Sequence, residues 1–569
     1  MKGVYVLIAL VLLMPSISGA FGSSGDGNIK EQPVADMPSF ENISLFIGAI
    51  PSAMSNINFA LPGNLTMELV SETGDVDMLY QKNQMWLEDA ILQFYGINGI
   101  NISAREIQEF FGKLDMLPDD LRQAIALIIY SLNDATLSSR RATRDISGDE
   151  KEFLKSNNET QSDMLSLLKN AITERMNIFP NLDLFYSESD KLSIITGKVD
   201  REEMVGAGFS LVQSVRHALP AIEKYGSTYT GTVLQDPSGL IVVGGGGEDA
   251  YTGVHSLIID LGGNDVYNVK SRYGNGSGDE RQDASLILDV SGNDRYQGSL
   301  ASSFMNMDML IDVSGDDFYS SDDWSQSYAC AGISLMLDLN GDDVYSAGGH
   351  SQGCSAAGGI SVLADVNGND VYHAENCSQG FANGNSLSVL ADVSGSDVYT
   401  GGTYSQGSAT SGGIALLLDF LGGDHYTSVK NSQGAGEGWA NGMKRVSTGV
   451  LADFSGNDRY VSTEESQGFG QTAGAGVLAD FLGDDRYDSK SHSQACSKLF
   501  GMAFLMDMCG NNTYDSRSYS RGYKSGGGMS MFLDSMSPTF DESMWELLQY
   551  ISRNDIGPIS SFFGALGDR

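Results

Sequence analysis

Positive charge is scarce in this chain. Its 569 residues carry 34 Lys and Arg against 73 Asp and Glu, a formal charge of -39, so a phosphate backbone or an anionic membrane surface would repel it. Nucleic acid is therefore not an expected partner. Cysteine is almost as sparse. The five thiols, Cys330, Cys354, Cys377, Cys496 and Cys509, have no metal-ligand spacing and are too few for a disulfide scaffold, which leaves isolated buried thiols. The six histidines fall at unrelated positions, and no nucleophile elbow, P-loop or zinc motif is present. Long apolar runs are missing as well. Residues 4–14 form one, behind Lys2 and ahead of Ser18-Gly19-Ala20, the order of a secretory signal peptide cut after Ala20. No later stretch approaches the ~20 apolar residues of a membrane span. The mature chain is expected to be exported, secreted or held at the cell surface, without a transmembrane anchor.

Proline is absent between Pro237 and Pro538. A stretch of that length without one suits a continuous strand ladder, in which every backbone N–H is needed. The same stretch repeats. The pattern apolar-Asp-x-x-Gly-x-Asp-x-Tyr recurs with its tyrosine at 267, 296, 319, 345, 372, 399, 426, 460 and 487, and at 514 with Asn512 in place of the second Asp. From Tyr319 onward a serine follows six residues later, as at Ser325, Ser351 and Ser378. The usual spacing is 27 residues, too short for a propeller blade of roughly 40, and the leucine-rich signature is lacking. Ile360, Val362, Ala364 and Val366 alternate as a strand with one face inward. Gly368 is expected to make a positive-φ turn, a second strand to carry Val371-Tyr372, a third to carry Ser378-Gln379, and Gly358-Gly359 to form a corner. The fold expected is a right-handed parallel β-helix or solenoid of about 10–11 coils with three strands each, ~50 Å long.

The rest of the chain divides around that repeat. Residues 1–20 read as the leader, 21–39 as a linker, 40–235 as an α-helical domain, 238–536 as the solenoid and 537–569 as a C-terminal helical cap. Segments 85–96, 104–114, 119–132, 162–176 and 208–226 have apolar residues three and four apart, with Asp119 and Ser162 as N-cap candidates. The helical domain is expected to cover the open end of the solenoid, and a helix over 541–554 to cap the other.

In-register stacking would place aspartates in two columns. One holds Asp260, Asp289, Asp312, Asp338, Asp365, Asp392, Asp419, Asp453 and Asp480; the other holds Asp265, Asp294, Asp317, Asp343, Asp370, Asp397, Asp424, Asp458 and Asp485. Between Arg295 and Lys430 lie 134 residues with 16 acidic side chains and no Lys or Arg. Like charges ~5 Å apart repel by roughly 3 kcal/mol at an effective dielectric near 20. Exposure, protonation or a bound cation must relieve this. Carboxylates and carbonyls from a glycine-containing turn are hard oxygen donors of the kind Ca²⁺ prefers, and calcium is the cofactor expected. The alternative at the same residues is an Asp that caps turn N–H groups with no metal.

Residues 262–269 (GGNDVYNV), 291–298 (SGNDRYQG) and 340–347 (NGDDVYSA) resemble the calcium-binding nonapeptide of the repeats-in-toxin (RTX) family, Gly-Gly-x-Gly-x-Asp-x-apolar-x. The resemblance implies that Gly263, Gly292, Gly341 and Gly368 take its fourth position and that Asp265, Asp294, Asp343 and Asp370 bind an ion between coils. It is local, about nine residues per coil. Asp289, Asp338 and Asp365 stand at its first position, where the family has glycine, and the period is 27 rather than tandem nines.

The role expected is structural, adhesive or binding, toward a cell-surface polymer or another protein, in a calcium-stabilised rod. A polysaccharide lyase or hydrolase is the competing class. It would use the insertion at 434–449, where Glu437, Trp439, Lys444 and Arg445 break the repeat; Trp439, Lys444 and Arg445 are the candidate ligand-binding residues, and an inert surface loop is the bland reading.

Overall fold

In the computed structural model, residues 87–154, 194–270, 284–438, 446–472 and 474–534 are described. The repeat folds as a parallel β-solenoid whose three sheets run its length, with 13, 11 and 8 strands. A central coil gives one strand to each sheet, as with Ile360–Asp365, Val371–Ala374 and Phe381–Asn383. Like residues stack on like: Ile360 pairs with Leu387, Val362 with Val389 and Asp365 with Asp392. The insertion leaves this register intact, because Ile414–Asp419 still pairs with Thr448–Asp453 from Ile414↔Thr448 to Asp419↔Asp453.

Alternation identifies the first strand correctly and its faces wrongly. Ile360, Val362, Ala364 and Val366 lie in the cluster that includes the helices, whereas Leu363 belongs with the tyrosines of the second sheet. The coil interior is lined instead by Ser361, Leu363 and Asp365. It is too narrow for branched side chains on every strand. The backbones of the first and third sheets approach so closely that a Cβ on Gly413 or Gly436 would strike the carbonyl of Ala382 or Ala475. Serine and alanine fill that seam, and Ser355 and Ser388 share a hydrogen bond of 2.6 Å across it.

The helices are α1 (Leu87–Asn98), α2 (Ala104–Leu114), α3 (Asp119–Ala142) and α4 (Arg201–Glu223); α3 and α4 pack on the apolar outer face of the first sheet, α1 packs on α3, and α2 on α1. Gly208 of α4 has its Cβ position 3.3 Å from Met309 and 3.6 Å from Met307. Arg201 fixes the start of α4 to a coil corner, its Nε donating to the Gly358 carbonyl at 2.7 Å. The helices therefore lie along the flank of the solenoid rather than over its open end, because the exposed apolar surface is on the flank. The end of the first sheet carries a short antiparallel strand, Leu234–Gln235. Pro118 rather than Asp119 occupies the N-cap position of α3 and no side chain caps it, so Asp119 sits inside the first turn. Ser103 makes the capping box of α2, with Glu106. The expected helices over 162–176 and 541–554, and the Ser162 cap, fall outside the described residues. No helix among the described residues is long and apolar enough to cross a membrane.

Two details of the coil also differ from expectation. Ser378-Gln379 forms a corner, and the third strand starts two residues later, at Phe381. Gln379 and Cys377 hold left-handed backbone, φ 52° and 58°. Side-chain hydrogen bonds offset that strain, about 1 kcal/mol or more per residue: Gln379 Nε2 donates to the carbonyls of Tyr372 and Thr400, both at 3.1 Å, and to Gln352 Oε1 at 3.2 Å. Gly368, in turn, is required by close approach rather than by a positive φ. A Cβ there would collide with the Gly341 carbonyl and lie 2.6 and 2.9 Å from the two Asp370 oxygens.

Candidate metal centre

The tyrosine of each coil points inward and stacks on the next. Tyr345, Tyr372, Tyr399 and Tyr426 follow one another at 4.7–4.8 Å between ring centres, tilted by 1–4°. They are fully buried, which makes the column a packing element of the interior. A buried phenol needs a partner. Up to Tyr460 the partner lies in the following coil: Tyr345 donates to Asp365 Oδ2 at 2.6 Å, Tyr372 to Asp392 at 2.7 Å and Tyr426 to Asp453 at 2.8 Å, whereas Tyr487 and Tyr514 donate to Asp480 and Asp507 of their own coils. This bond was not foreseen from sequence. Its signal was the regular interval from each tyrosine to the next coil's first aspartate.

Strand register brings the first aspartates together as a column from Asp260 to Asp534: Asp260↔Asp289, Asp289↔Asp312, Asp312↔Asp338, Asp365↔Asp392, Asp392↔Asp419, Asp419↔Asp453, Asp453↔Asp480, Asp480↔Asp507 and Asp507↔Asp534. The second aspartates form a parallel column through the backbone. The N–H of Asp343 donates to Asp370 Oδ1 at 2.7 Å, that of Asp370 to Asp397 at 2.6 Å and that of Asp397 to Asp424 at 2.7 Å.

Turn capping thus exists, and it uses part of the oxygen inventory. Asp289, Asp312, Asp338 and Asp453 each accept the N–H two residues on through Oδ1, and Asp260 has both oxygens bonded, to Gly262 and Tyr251. What remains is systematic. In Asp265, Asp294, Asp317, Asp343, Asp370, Asp397, Asp424, Asp458 and Asp485, Oδ2 is buried without a hydrogen-bond partner, as is Oδ1 of Asp365, Asp392, Asp419 and Asp480. None of these thirteen side chains is more than 3% exposed.

The carboxylates converge in threes: Asp265, Asp289 and Asp294; Asp294, Asp312 and Asp317; Asp317, Asp338 and Asp343; Asp343, Asp365 and Asp370; Asp370, Asp392 and Asp397; and three further groups. Within each, one oxygen per residue lies within 4.8 Å of the others. Oxygens sharing one Ca²⁺ at about 2.4 Å can be no more than ~4.8 Å apart, so the spacing fits. Asp294, Asp317, Asp343 and Asp370 each serve two successive groups, which makes the groups a continuous file.

No lysine or arginine among the described residues pairs with this file. The ion pairs of the coils are elsewhere, such as Lys430 with Glu464 and Glu465, Lys498 with Glu465, and Arg486 with Asp488. Desolvation, followed by the charge of Asp365 and the neighbouring second aspartates, pushes the Asp370 carboxyl well above the usual carboxylate range; burial and then neighbouring carboxylates do the same to Asp392 and Asp419. Alone, these groups resist ionising.

Trp439, Lys444 and Arg445 lie outside the described residues. Glu437 is buried, accepting from Tyr404 at 2.7 Å and Gln471 at 3.1 Å, so this carboxylate already serves coil-to-coil bonding. All five cysteines are free.

Searches against protein-family models, curated proteins and solved structures gave no match to this chain.

Proposed function

We propose that the protein is a calcium-stabilised rod with a structural, adhesive or binding role outside the cell, and that a file of cations bound between coils holds it rigid. The observation that carries this is the run of nine buried second aspartates, each with one oxygen bonded to the neighbouring coil and the other unpaired and turned into a three-carboxylate group. Charge supports it. Each coil contributes two carboxylates, so one divalent ion per coil neutralises the file. Protonation is the rival way to neutralise it, because burial and the neighbouring carboxylates raise these groups above the usual carboxylate range.

The donor set selects among ions. Carboxylates are hard ligands, which disfavours thiophilic metals. Mg²⁺ keeps several waters and demands near-octahedral geometry, and these groups are closed off from solvent. Ca²⁺ accepts an irregular, protein-supplied oxygen shell. Export toward calcium-rich surroundings agrees with the leader-like residues 1–20.

Thermal unfolding of the purified chain at pH 8, with calcium, with magnesium and with EGTA, tests the proposal. At a hundredfold excess over Kd, one site adds about 2.7 kcal/mol, so eight groups would together contribute on the order of 20 kcal/mol. Loss of the cooperative β-sheet transition in EGTA, restored by calcium and poorly by magnesium, is the expected result. Unchanged melting in EGTA contradicts it.

A further inference from the structure

The last complete coil departs from the pattern at one residue. Where every earlier coil from Asp265 onward has its second aspartate, this coil has Asn512. The backbone sees no difference: the Asp485 N–H donates to Asn512 Oδ1 at 2.8 Å, as each preceding coil donates to the corresponding aspartate. The other terminal atom differs. In the aspartates it is the unpaired Oδ2; in Asn512 it is an NH2 group. Nδ2 donates to Asp507 Oδ1 at 2.6 Å and approaches the Cys509 carbonyl at 3.2 Å and Asp534 Oδ1 at 3.4 Å. Three oxygens thus gather around a neutral donor that carries its own hydrogens. Asp507 is correspondingly not among the aspartates with a buried unpaired oxygen.

We infer that Asn512 is the stop of the cation file, its side-chain amide supplying to the last coil's oxygens what an ion supplies to the earlier ones, so that the number of ions bound per chain is set by sequence. The inference rests on the cation reading above and adds a count to it. An amide suits this place for a physical reason. Among the described residues the strand Met529–Asp534 is the last of its sheet, and its side chains are half-buried or exposed. An ion held there would have water on one side and a shared carboxylate only on the other. An amide satisfies these oxygens with hydrogen bonds and leaves the last coil one carboxylate fewer than the coils before it.

Replacing Asn512 by Asp would complete another group, Asp485, Asp507 and residue 512, in the register of Asp343, Asp365 and Asp370. Replacing Asp485 by Asn would move the stop one coil inward. Terbium serves as the probe, as a Ca²⁺ substitute excited through the buried tyrosines, with stoichiometry read by titration and by elemental analysis after gel filtration. Relative to the unaltered chain, Asn512→Asp is expected to bind one more ion and Asp485→Asn one fewer. Asp485→Asn gives its own answer if Asn512→Asp fails to fold. An unaltered chain that takes up no terbium overturns the cation reading and the stop with it. A chain that binds terbium, with both variants binding the same number, overturns the stop alone.

Discussion

The two faces of one strand are held in opposite ways. On Ile360–Asp365 the outward residues Ile360, Val362 and Ala364 are buried in an apolar layer that extends to α3 and α4, a contact that needs no counter-ion and no particular pH. The inward residues Ser361, Leu363 and Asp365 face a narrow interior in which Asp365 is fully buried with an oxygen unpaired. Burial stabilises the first face by removing apolar surface from water. The same burial destabilises the second unless its charge is neutralised. One element therefore carries a stability that is constant and another that depends on what is dissolved around it.

The largest effect separating the two is in pH. Without divalent cations the buried aspartates have folded-state pKa values above the unfolded value of ~4. Their contribution is then fully present below that value and is lost as pH rises through the folded values, by about 1.4 kcal/mol per pH unit for each group that must ionise. In EGTA the melting temperature should fall from pH 5 to pH 8. With saturating calcium the ion displaces the proton, and the same interval should show a rise. Parallel curves in the two media would remove the distinction between the faces.

Asp370→Asn comes next. Asp370 belongs to two carboxylate groups, so in calcium its loss should cost about 5 kcal/mol, twice the single-site term. In EGTA at pH 8 the same change removes a buried carboxyl whose pKa burial and Asp365 hold far above the unfolded value, and should raise the melting temperature. A variant that is destabilised equally in both media would assign Asp370 to turn capping alone.

Leu335→Ala on the outward face provides the converse. Leu335 is 3% exposed and lines the contact with Val205 and Val212 of α4, so truncation should cost about 3 kcal/mol, whether calcium is present or not. A calcium-dependent cost would show that the faces are not independent. The smallest effect is expected at Val371, on the outer face of the second sheet and 39% exposed. Val371→Ser should change stability by no more than ~0.5 kcal/mol in either medium.

Much of this was legible in the sequence because the repeat is strict. Equal intervals between tyrosines dictate equal coils, and equal coils dictate that Asp365 pairs with Asp392. The two aspartate columns follow from that alone. The face assignment did not, because alternation states that Ile360 and Ser361 point oppositely but not which side is the interior. Only the narrowness of the coil, visible where the Ala382 and Ala475 carbonyls press on Gly413 and Gly436, makes the apolar face the outer one. The Tyr345–Asp365 bond joins residues of different coils, so no local motif contains it. Asn512 stood in the sequence as a plain exception, and its meaning needed the neighbouring oxygens of Asp507 and Asp534.

The most direct measurement is anomalous diffraction from crystals grown with calcium or soaked in terbium. The account predicts a line of peaks at one per coil between the paired aspartates, including one enclosed by Asp343, Asp365 and Asp370, and ending before Asn512. Carboxyls of those three residues drawn into direct hydrogen bonds with one another, with no peak among them, would show the file to be protonated and the account to be wrong.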